Sequence, residues 1–229
     1  MAEAPVGGRR LRLDMHIHTH VSFDSLNRPE EILRAARERG IDRLVITDHN
    51  ELEGALRLRE MDPERILIGE EVKTRERVDI IGIFLREVIP RGTPARETCQ
   101  RIHEQGGVVY LPHPFDTRRA GGGRLVEELE EWIDVVEVHN ARSWKRGLNE
   151  RAEGWARGRG KLMGAGSDAH TIREIGRGFV ELPPFEPTRE SLLTALRSAR
   201  IAGRTLSSPF CHLFSTYANL RKRLPYGQR

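Results

Sequence analysis

The chain has 229 residues, a formal net charge of +4 and a hydrophobic fraction of 38%. This length is sufficient for a single domain with a substantial buried core. No apolar run approaches the ~20 residues of a membrane span, and the start of the chain has no apolar signal core, so we expect a cytoplasmic protein with no membrane partner. Cys99 and Cys211 lack paired spacing and are expected to be reduced thiols. No obligate protein partner is evident, and the mild positive charge permits acidic substrates without requiring them.

Strand-like and helix-like segments alternate along almost the whole chain. In chain order, the pattern predicts a strand over 11–16, a helix over 29–39, a strand over 43–47, a helix over 51–60, strands over 65–69 and 78–85, a helix over 94–105, a strand over 108–111, a helix over 125–132, a strand over 135–138, a helix over 148–157, strands over 161–165 and 178–182, and a helix over 189–199. Pro29 is expected at the first helical position, and Asn50 is expected to cap the second helix.

This alternation indicates repeated β-α units and a mostly parallel sheet. About seven such units favour a closed or slightly open barrel over a doubly wound sheet, and no GxGxxG or P-loop sequence is present. We therefore expect an N-terminal extension over 1–10, one barrel domain over 11–205, and a C-terminal tail over 206–229 with a solvated basic end. In such barrels the functional groups lie at the carboxyl ends of the strands.

Five short motifs rich in metal-ligand residues follow the predicted strands. They read His16-Ile17-His18, Thr47-Asp48-His49, Gly69-Glu70-Glu71, Pro112-His113-Pro114 and Ser167-Asp168-Ala169-His170. Imidazoles and carboxylates gathered at one end of a sheet form a pocket of nitrogen and oxygen ligands for divalent metals. His16 and His18 are two residues apart, so in an extended segment they point to the same side and can hold one ion. Asp168 and His170 repeat that spacing.

Some positions leave alternatives open when the residues are considered alone. His49 is preferred as a ligand, with Asp48 orienting it, because neighbouring side chains at a strand end diverge. Glu70 and Glu71 compete for a bridging role, and their spacing does not separate them. Asp24, in the loop after the first predicted strand, fits a ligand and a loop cap equally well.

Asp79 and His113 complete the candidate ligands. Asp79 lies within an apolar run, where a lone buried carboxylate is costly unless it is paired or bound to metal. His113 lies between two prolines at a strand end. Roughly seven to nine ligands exceed what one tetrahedral ion needs, which indicates two or three metal ions. Ions bridged by a carboxylate lower the pKa of a shared water, so we expect phosphate esters to be hydrolysed by a metal-bridging hydroxide.

In their order and combination, these motifs resemble those of the PHP (polymerase and histidinol phosphatase) family of metal-dependent phosphoesterases. The matching segments are Asp14-Met15-His16-Ile17-His18-Thr19, Ile46-Thr47-Asp48-His49, Gly69-Glu70-Glu71, Leu111-Pro112-His113-Pro114 and Gly166-Ser167-Asp168-Ala169-His170. The resemblance implies an α/β fold, a distorted seven-stranded (β/α) TIM-like barrel. It also implies two or three divalent ions, commonly manganese, zinc or iron.

The resemblance further implies three groups of ligands, with Glu71 as a bridge. They are His16, His18 and Asp168 for one ion, His113 for the second, and Asp24, His49 and His170 for the third. The G-x-E pattern of the family selects Glu71 over Glu70, and we expect Glu71, Asp48 and His170 to act in catalysis. Many members carry histidine where this chain has Asp79, which stays a ligand candidate. Members that act on small nucleotides often insert a cap domain after this strand, so a more open pocket is expected here.

Three arginines are candidates for binding the substrate. Arg118 and Arg119 precede a glycine-rich stretch, and this loop fits a phosphate clamp and a solvated basic loop equally well. Arg142 follows the strand over 135–138. The expected substrate is a phosphorylated small molecule or a nucleic-acid end. Hydrolysis of a phosphate monoester is the leading hypothesis. An exonuclease that trims RNA or DNA ends and a metal-binding accessory protein without turnover are the alternatives.

Overall fold

The computed structural model of the chain describes residues 9–119, 123–208 and 210–224. Its strands are β1 (Leu11–Ile17), β2 (Arg43–His49), β3 (Ile66–Lys73), β4 (Asp79–Ile83), β5 (Val108–Leu111), β6 (Val135–Asn140), β7 (Leu162–Gly166), β8 (Phe179–Leu182) and β9 (Arg200–Ala202). Its helices are α1 (Pro29–Glu38), α2 (Glu53–Met61), α3 (Ala95–Glu104), α4 (Gly123–Glu128), α5 (Arg146–Gly158), α6 (Arg189–Leu196) and α7 (Cys211–Arg223).

The strands form one sheet in the order β7-β6-β5-β4-β3-β2-β1-β8-β9. An isolated parallel bridge joins Ile17 to Ala169, just beyond β7, and the amide of His18 donates to the Ala169 carbonyl at 3.0 Å. The segment after β7, the strand at one end of the sheet order, therefore meets the carboxyl end of β1 and nearly closes the sheet. The expected α/β barrel is confirmed as a nearly closed sheet, but the described residues contain nine strands where seven were expected.

The expectation of a mostly parallel sheet is wrong, because β4 runs antiparallel to both β3 and β5, and β8 runs antiparallel to both β1 and β9. A parallel crossover needs a dozen or more residues, whereas only five residues connect β3 to β4. The connection is a tight hairpin, in which the amide of Thr74 donates to the Val78 carbonyl at 2.9 Å. Because β4 runs backwards, Asp79 opens this strand beside the end of β3, where Lys73 is its pairing partner.

The apolar core forms an inner and an outer layer around the sheet. Inside the barrel, Leu13, Leu67 and Tyr110 are completely buried together with other strand residues. Two outer clusters pack the helices against the sheet, one beneath α1 and α2 and the other beneath α3 and α5. This arrangement covers both faces of the central strands, which explains their nearly continuous apolar runs.

Most helix positions agree with the sequence pattern, but two details differ. Asn50 does not cap α2, which begins at Glu53 after Leu52. Instead, Asn50 adopts a left-handed backbone conformation (φ 57°) and its side-chain oxygen accepts the amide of Lys73 at 2.9 Å. The segment predicted as one helix over 125–132 is divided into α4 and a short 3₁₀ helix, Glu130–Trp132.

The segment predicted to be a C-terminal tail is folded onto the barrel. The amide of Ser207 donates to the Ala141 carbonyl at 2.6 Å, and α7 then crosses the carboxyl ends of the strands. At the far end of α7, the ammonium group of Lys222 donates to the carbonyl oxygens of His20 and Ser22. The basic end of the chain is therefore anchored in part, contrary to the expectation that it is solvated. Among the described residues, no helix is both long and apolar enough to cross a membrane.

Replacement of Leu67 by alanine tests the importance of the inner layer. Leu67 is fully buried in the barrel, so Leu67→Ala is expected to lower the free energy of unfolding by about 2–5 kcal/mol. Leu213 on α7 is 63% exposed, and the same change there is expected to cost less than about 0.5 kcal/mol. Urea unfolding followed by circular dichroism measures both. Equal losses for the two variants would contradict the assignment of the core.

Candidate metal centre

Four metal-ligand candidates meet inside the barrel mouth, two from the end of β1, one from β3 and one from the segment after β7. The Nε2 atoms of His16 and His18 lie 3.1 Å apart. Glu71 Oε2 lies 3.5 Å from the first and 3.4 Å from the second of these nitrogens. Asp168 Oδ1 lies 3.7 Å and 3.5 Å from the same two atoms. All four side chains are almost completely buried.

These donor distances fit a tetrahedral divalent ion. Ligand bonds of ~2.0–2.1 Å to a central ion place tetrahedral donors about 3.4 Å apart, close to the distances between the four side chains. Two imidazole nitrogens that face each other at 3.1 Å also repel unless a proton or a cation lies between them. The mixed nitrogen and oxygen donors suit zinc, manganese or iron.

The second oxygen of Glu71 points to another donor group. Glu71 Oε1 lies 3.2 Å from His113 Nε2, and Asp79 offers a carboxylate oxygen to the same group. Asp79 also forms a 2.7 Å ion pair with Lys73, so its charge is already balanced by a cation. One carboxylate, that of Glu71, therefore joins two potential ion sites.

The choice between Glu70 and Glu71 follows from the strand geometry. Neighbouring residues of β3 face opposite sides of the sheet. Glu70 points away from the other ligands, where it accepts the amide of Ile89 at 2.9 Å. Burial raises the pKa of Glu70 to about 7. Glu71 is therefore the member of the pair that lies in the centre.

A third group contains Asp24, His49 and His170. Asp24 Oδ2 lies 3.0 Å from His170 Nε2 and 3.7 Å from His49 Nε2. The other ring nitrogen of His49 lies 3.1 Å from Glu71 Oε2. The structure thus brings together all nine residues that the sequence marked as metal-ligand candidates: His16, His18, Asp24, His49, Glu71, Asp79, His113, Asp168 and His170.

Three of the imidazoles are oriented by an acceptor at their Nδ1 atoms. His16 Nδ1 lies 3.1 Å from Glu137 Oε1, and His18 Nδ1 lies 3.1 Å from Ser22 Oγ. His170 Nδ1 lies 2.9 Å from the backbone carbonyl of Asp168. A proton held at Nδ1 leaves the Nε2 lone pair directed at the centre, which is the arrangement a metal ligand needs.

Glu137 contacts the candidate ligands but is not part of the sequence motifs. Besides holding His16, its carboxylate accepts the amide of His113 at 2.7 Å and the side-chain amide of Asn140 at 2.9 Å. Asn140 also donates to Asp168 Oδ2 at 3.1 Å. Like Asp79, Glu137 is a lone carboxylate in an apolar strand, and this pattern is the signal in the sequence that could have identified it.

Asp48 lies behind the centre and does not line it. Its two oxygens accept the backbone amide and the hydroxyl of Thr19, both at 2.7 Å, and the hydroxyl of Ser22 at 2.6 Å. Since Ser22 donates to Asp48, its oxygen accepts from His18. The carboxylate therefore positions a ligand histidine through Ser22, and the geometry does not place it in contact with reacting atoms.

The buried charges shift the pKa values of the ligands in opposite directions. Burial alone would raise the pKa of Glu71, but the imidazoles of His49 and His16 hold it well below its usual range. Burial disfavours the charged form of His49, yet Glu71 and Asp24 raise its pKa to about 9. Burial and neighbouring imidazoles lower the pKa of His18 to about 3. Protonated and neutral imidazoles are therefore adjacent, and the protons occupy positions that cations would take.

The centre opens into a cavity of about 260 Å³. Besides the ligands, it is lined by side chains that include Phe23, Lys73, Arg91, Arg142, His212 and Ser215. Of the two arginines predicted to bind substrate whose side chains the structure describes, Arg142 lines the cavity and Arg118 does not. Arg118 stacks its guanidinium 3.9 Å above the ring of Trp144 and does not line the cavity. The side chain of Arg119 lies outside the described part of the structure.

The segments of this chain that match known protein families contain all nine candidate ligands. Residues 14–133 match the family model of the PHP domain, and residues 146–201 match the PHP-associated model. Two uncharacterized proteins of Methanocaldococcus jannaschii are similar in sequence. MJ1587 is 37% identical over 57% of this chain and 82% of its own, and MJ0417 is 35% identical over 75% of this chain and 70% of its own.

Two solved structures share the fold. A Bifidobacterium adolescentis protein described as a candidate metal-dependent phosphoesterase covers 74% of this chain and 90% of its own, with a TM-score of 0.57 and 18% identity. Endonuclease Q, in a complex with a DNA duplex that carries an abasic lesion, covers 84% of this chain and 58% of its own, with a TM-score of 0.59 and 15% identity.

Glu137→Gln tests the carboxylate behind His16. Glutamine keeps the size of the side chain but cannot accept hydrogen bonds at both terminal atoms, so one of the three donors loses its acceptor. We expect the affinity for divalent metal to fall about 10–100-fold. Calorimetric titration with zinc measures this. Glu153→Gln, on the surface of α5, is the matched control, and an unchanged affinity in Glu137→Gln would contradict the assigned role.

Metal binding is expected to release protons. At pH 7 the His49 ring is protonated in the metal-free protein because its pKa is raised to about 9, whereas a ligand imidazole must be neutral. The apparent affinity should therefore rise with pH, by up to about tenfold per unit between pH 7 and 9. Without metal, the stabilisation by protonated His49 is complete below the unfolded pKa of about 6.5 and is lost as pH rises toward 9. Zinc titrations in buffers of different ionisation enthalpy count the protons, and identical heats in all buffers would contradict the prediction.

Proposed function

Because the chain belongs to the PHP domain family, we propose that its metal centre hydrolyses small phosphate monoesters with the help of two or three divalent ions. The observation that carries this proposal is the placement of Glu71. Its two carboxylate oxygens face different donor groups, with His113 at 3.2 Å from one and His18 at 3.4 Å from the other. This arrangement suits adjacent ions that share a bridging carboxylate.

Divalent ions bound here would supply hydroxide near neutral pH and would neutralise charge on the phosphate oxygens. The protein residues hold this arrangement and bind the substrate. His16, His18 and Asp168 form one face of the centre, and Glu71 links it to His113. These groups are buried, so their mutual geometry is fixed before the substrate arrives.

Arg142 is the residue that we assign to the substrate phosphate. It lines the cavity and is 4% exposed. Its Nε lies 3.3 Å from Glu174, and Nη2 donates to the Ser215 hydroxyl at 2.9 Å. An arginine held in one position by such partners suits a phosphate oxygen.

The number of bound ions determines the role of His170. With three ions, His170, His49 and Asp24 are ligands of the third. With two ions, the Asp24–His170 pair at the cavity wall is placed to give a proton to the leaving alcohol. Elemental analysis of the purified protein distinguishes the two arrangements.

The size of the cavity favours a small substrate. An open pocket was expected because no cap domain follows β4. Instead, α7 crosses the strand ends and contributes His212 and Ser215 to the cavity wall, so the pocket is partly covered. A space of about 260 Å³ lies just below the range of roughly 300–1,000 Å³ that is usual for small-molecule sites. Trimming of RNA or DNA ends is the second candidate, since the fold is shared with Endonuclease Q. A metal-binding protein without turnover is less favoured, because all the donor groups are present.

Removal of ligands tests the proposed reaction. His16→Ala and Asp168→Ala are expected to lose bound metal and to reduce hydrolysis of p-nitrophenyl phosphate at least about 100-fold. The reason is that bound ions lower the free energy of the charged transition state by several kcal/mol. His103→Ala, a histidine that pairs with Asp134 outside the centre, is the control and should retain activity.

Two results would contradict the proposal. Wild-type turnover at an unchanged rate in metal-stripped buffer would exclude metal-dependent hydrolysis. Single-nucleotide release from labelled RNA or DNA, at a higher kcat/KM than for phosphate monoesters, would favour the exonuclease instead.

A further inference from the structure

The cavity has a second wall that holds no metal ligands. It is formed by His212 and Ser215 of α7 and by Arg91. Helix α7 lies beyond both segments that match the family models, which end at residues 133 and 201. Its two α7 residues therefore lie outside the segments that the family models match, whereas Arg91 lies within residues 14–133.

Helix α7 is fixed to the barrel on both sides of the cavity. Near its start, Nη2 of Arg142 donates to the Cys211 carbonyl at 3.1 Å as well as to the Ser215 hydroxyl. Near its end, Lys222 donates to two carbonyls of the loop that carries Asp24. His212 and Ser215 therefore occupy defined positions in the lining of the cavity.

Arg91 is presented by an ordered turn. The amide of Thr93 donates to the Pro90 carbonyl at 3.1 Å, and Gly92 adopts the positive φ (86°) that the third position of a type II turn requires. The amide of Gly92 also donates to the carbonyl of Lys73 at 2.8 Å, which ties the turn to the end of β3. Arg91 is thus held at the tip of the turn, at the edge of the cavity.

Arg91 differs from the other cations of the cavity in its partners. Lys73 is paired with Asp79, and Arg142 is paired with Glu174. Within the described ranges, Arg91 forms no ion pair with a carboxylate. In the proposed function the ion sites and Arg142 bind the phosphate, which leaves the Arg91 guanidinium for a different anionic group.

We propose that Arg91 and His212, assisted by Ser215, bind an anionic group on the alcohol portion of the substrate. The preferred substrates are then small phosphate esters whose alcohol carries a carboxylate. This proposal rests on the proposed phosphoesterase function and extends it. A charged group on the alcohol forms a charge-assisted hydrogen bond with the guanidinium, which a neutral alcohol cannot match.

A matched pair of ligands tests this proposal. 3-Phosphoglycerate and glycerol 3-phosphate have the same phosphate and differ mainly in a carboxylate against a hydroxymethyl group. Competition with p-nitrophenyl phosphate hydrolysis gives an inhibition constant for each, whether or not either is turned over. We expect the metal-loaded wild type to bind 3-phosphoglycerate at least about tenfold more tightly.

Variants then assign the preference to the wall. Arg91→Gln and His212→Ala should each weaken binding of 3-phosphoglycerate about fivefold or more and leave glycerol 3-phosphate nearly unchanged. Arg91→Lys should restore part of the preference. Leu213→Ala changes the exposed neighbour of His212 on the same helix, and both inhibition constants should stay at their wild-type values.

Equal inhibition constants in the wild type would overturn the proposal, and so would a preference that survives in both Arg91→Gln and His212→Ala. Failure of the proposed function gives a different result, namely no metal-dependent hydrolysis of p-nitrophenyl phosphate. In that case calorimetric binding of the two ligands to the zinc-loaded protein replaces the inhibition assay. The preference and its loss in the variants are then measured without turnover.

Discussion

The structure depends on the buried carboxylate of Glu71. A charged carboxylate inside a protein is costly unless cations or hydrogen-bond donors surround it. Here Glu71 is 1% exposed, and imidazole nitrogens from His16, His18, His49 and His113 lie 3.1–3.5 Å from its oxygens. These groups satisfy one another only when cations or protons occupy the space between them. The centre is therefore built to hold positive charge, and the metal-dependent chemistry follows from this requirement.

The sheet geometry brings these partners to Glu71. In the parallel pairing of β2 and β3, His49 lies directly opposite Glu71, so both side chains occupy the same face. The reversed direction of β4 returns Asp79 to the same end of the barrel. Closure near the end of β1 brings Asp168 against His18, and there is no room for a larger residue at Gly166, where a Cβ would lie 2.3 Å from the Cβ of His16. Backbone strain supports the arrangement, since Asp168 adopts a positive φ of 52°.

A second shell of polar groups gives the ligands their orientation. Glu137 and Ser22 each hold the Nδ1 atom of one histidine, and Asp48 acts on His18 through Ser22. Helix α7 then closes part of the opening and limits the size of the cavity. In the proposed function the metal centre provides the reactive groups, and the loop containing Arg91 and helix α7 select among the esters that fit beside it.

The sequence by itself determined the order of most elements, the barrel class and the candidate ligand residues, because strand periodicity shows which side chains lie at a strand end and on which face. It did not determine that Glu137 holds His16, since these residues are 121 positions apart and meet only in the closed barrel. It also did not show that α7 returns over the strand ends, or that Arg91 rather than Arg118 lines the cavity. Such contacts depend on how distant loops pack around the closed sheet, and local patterns carry no information about that packing.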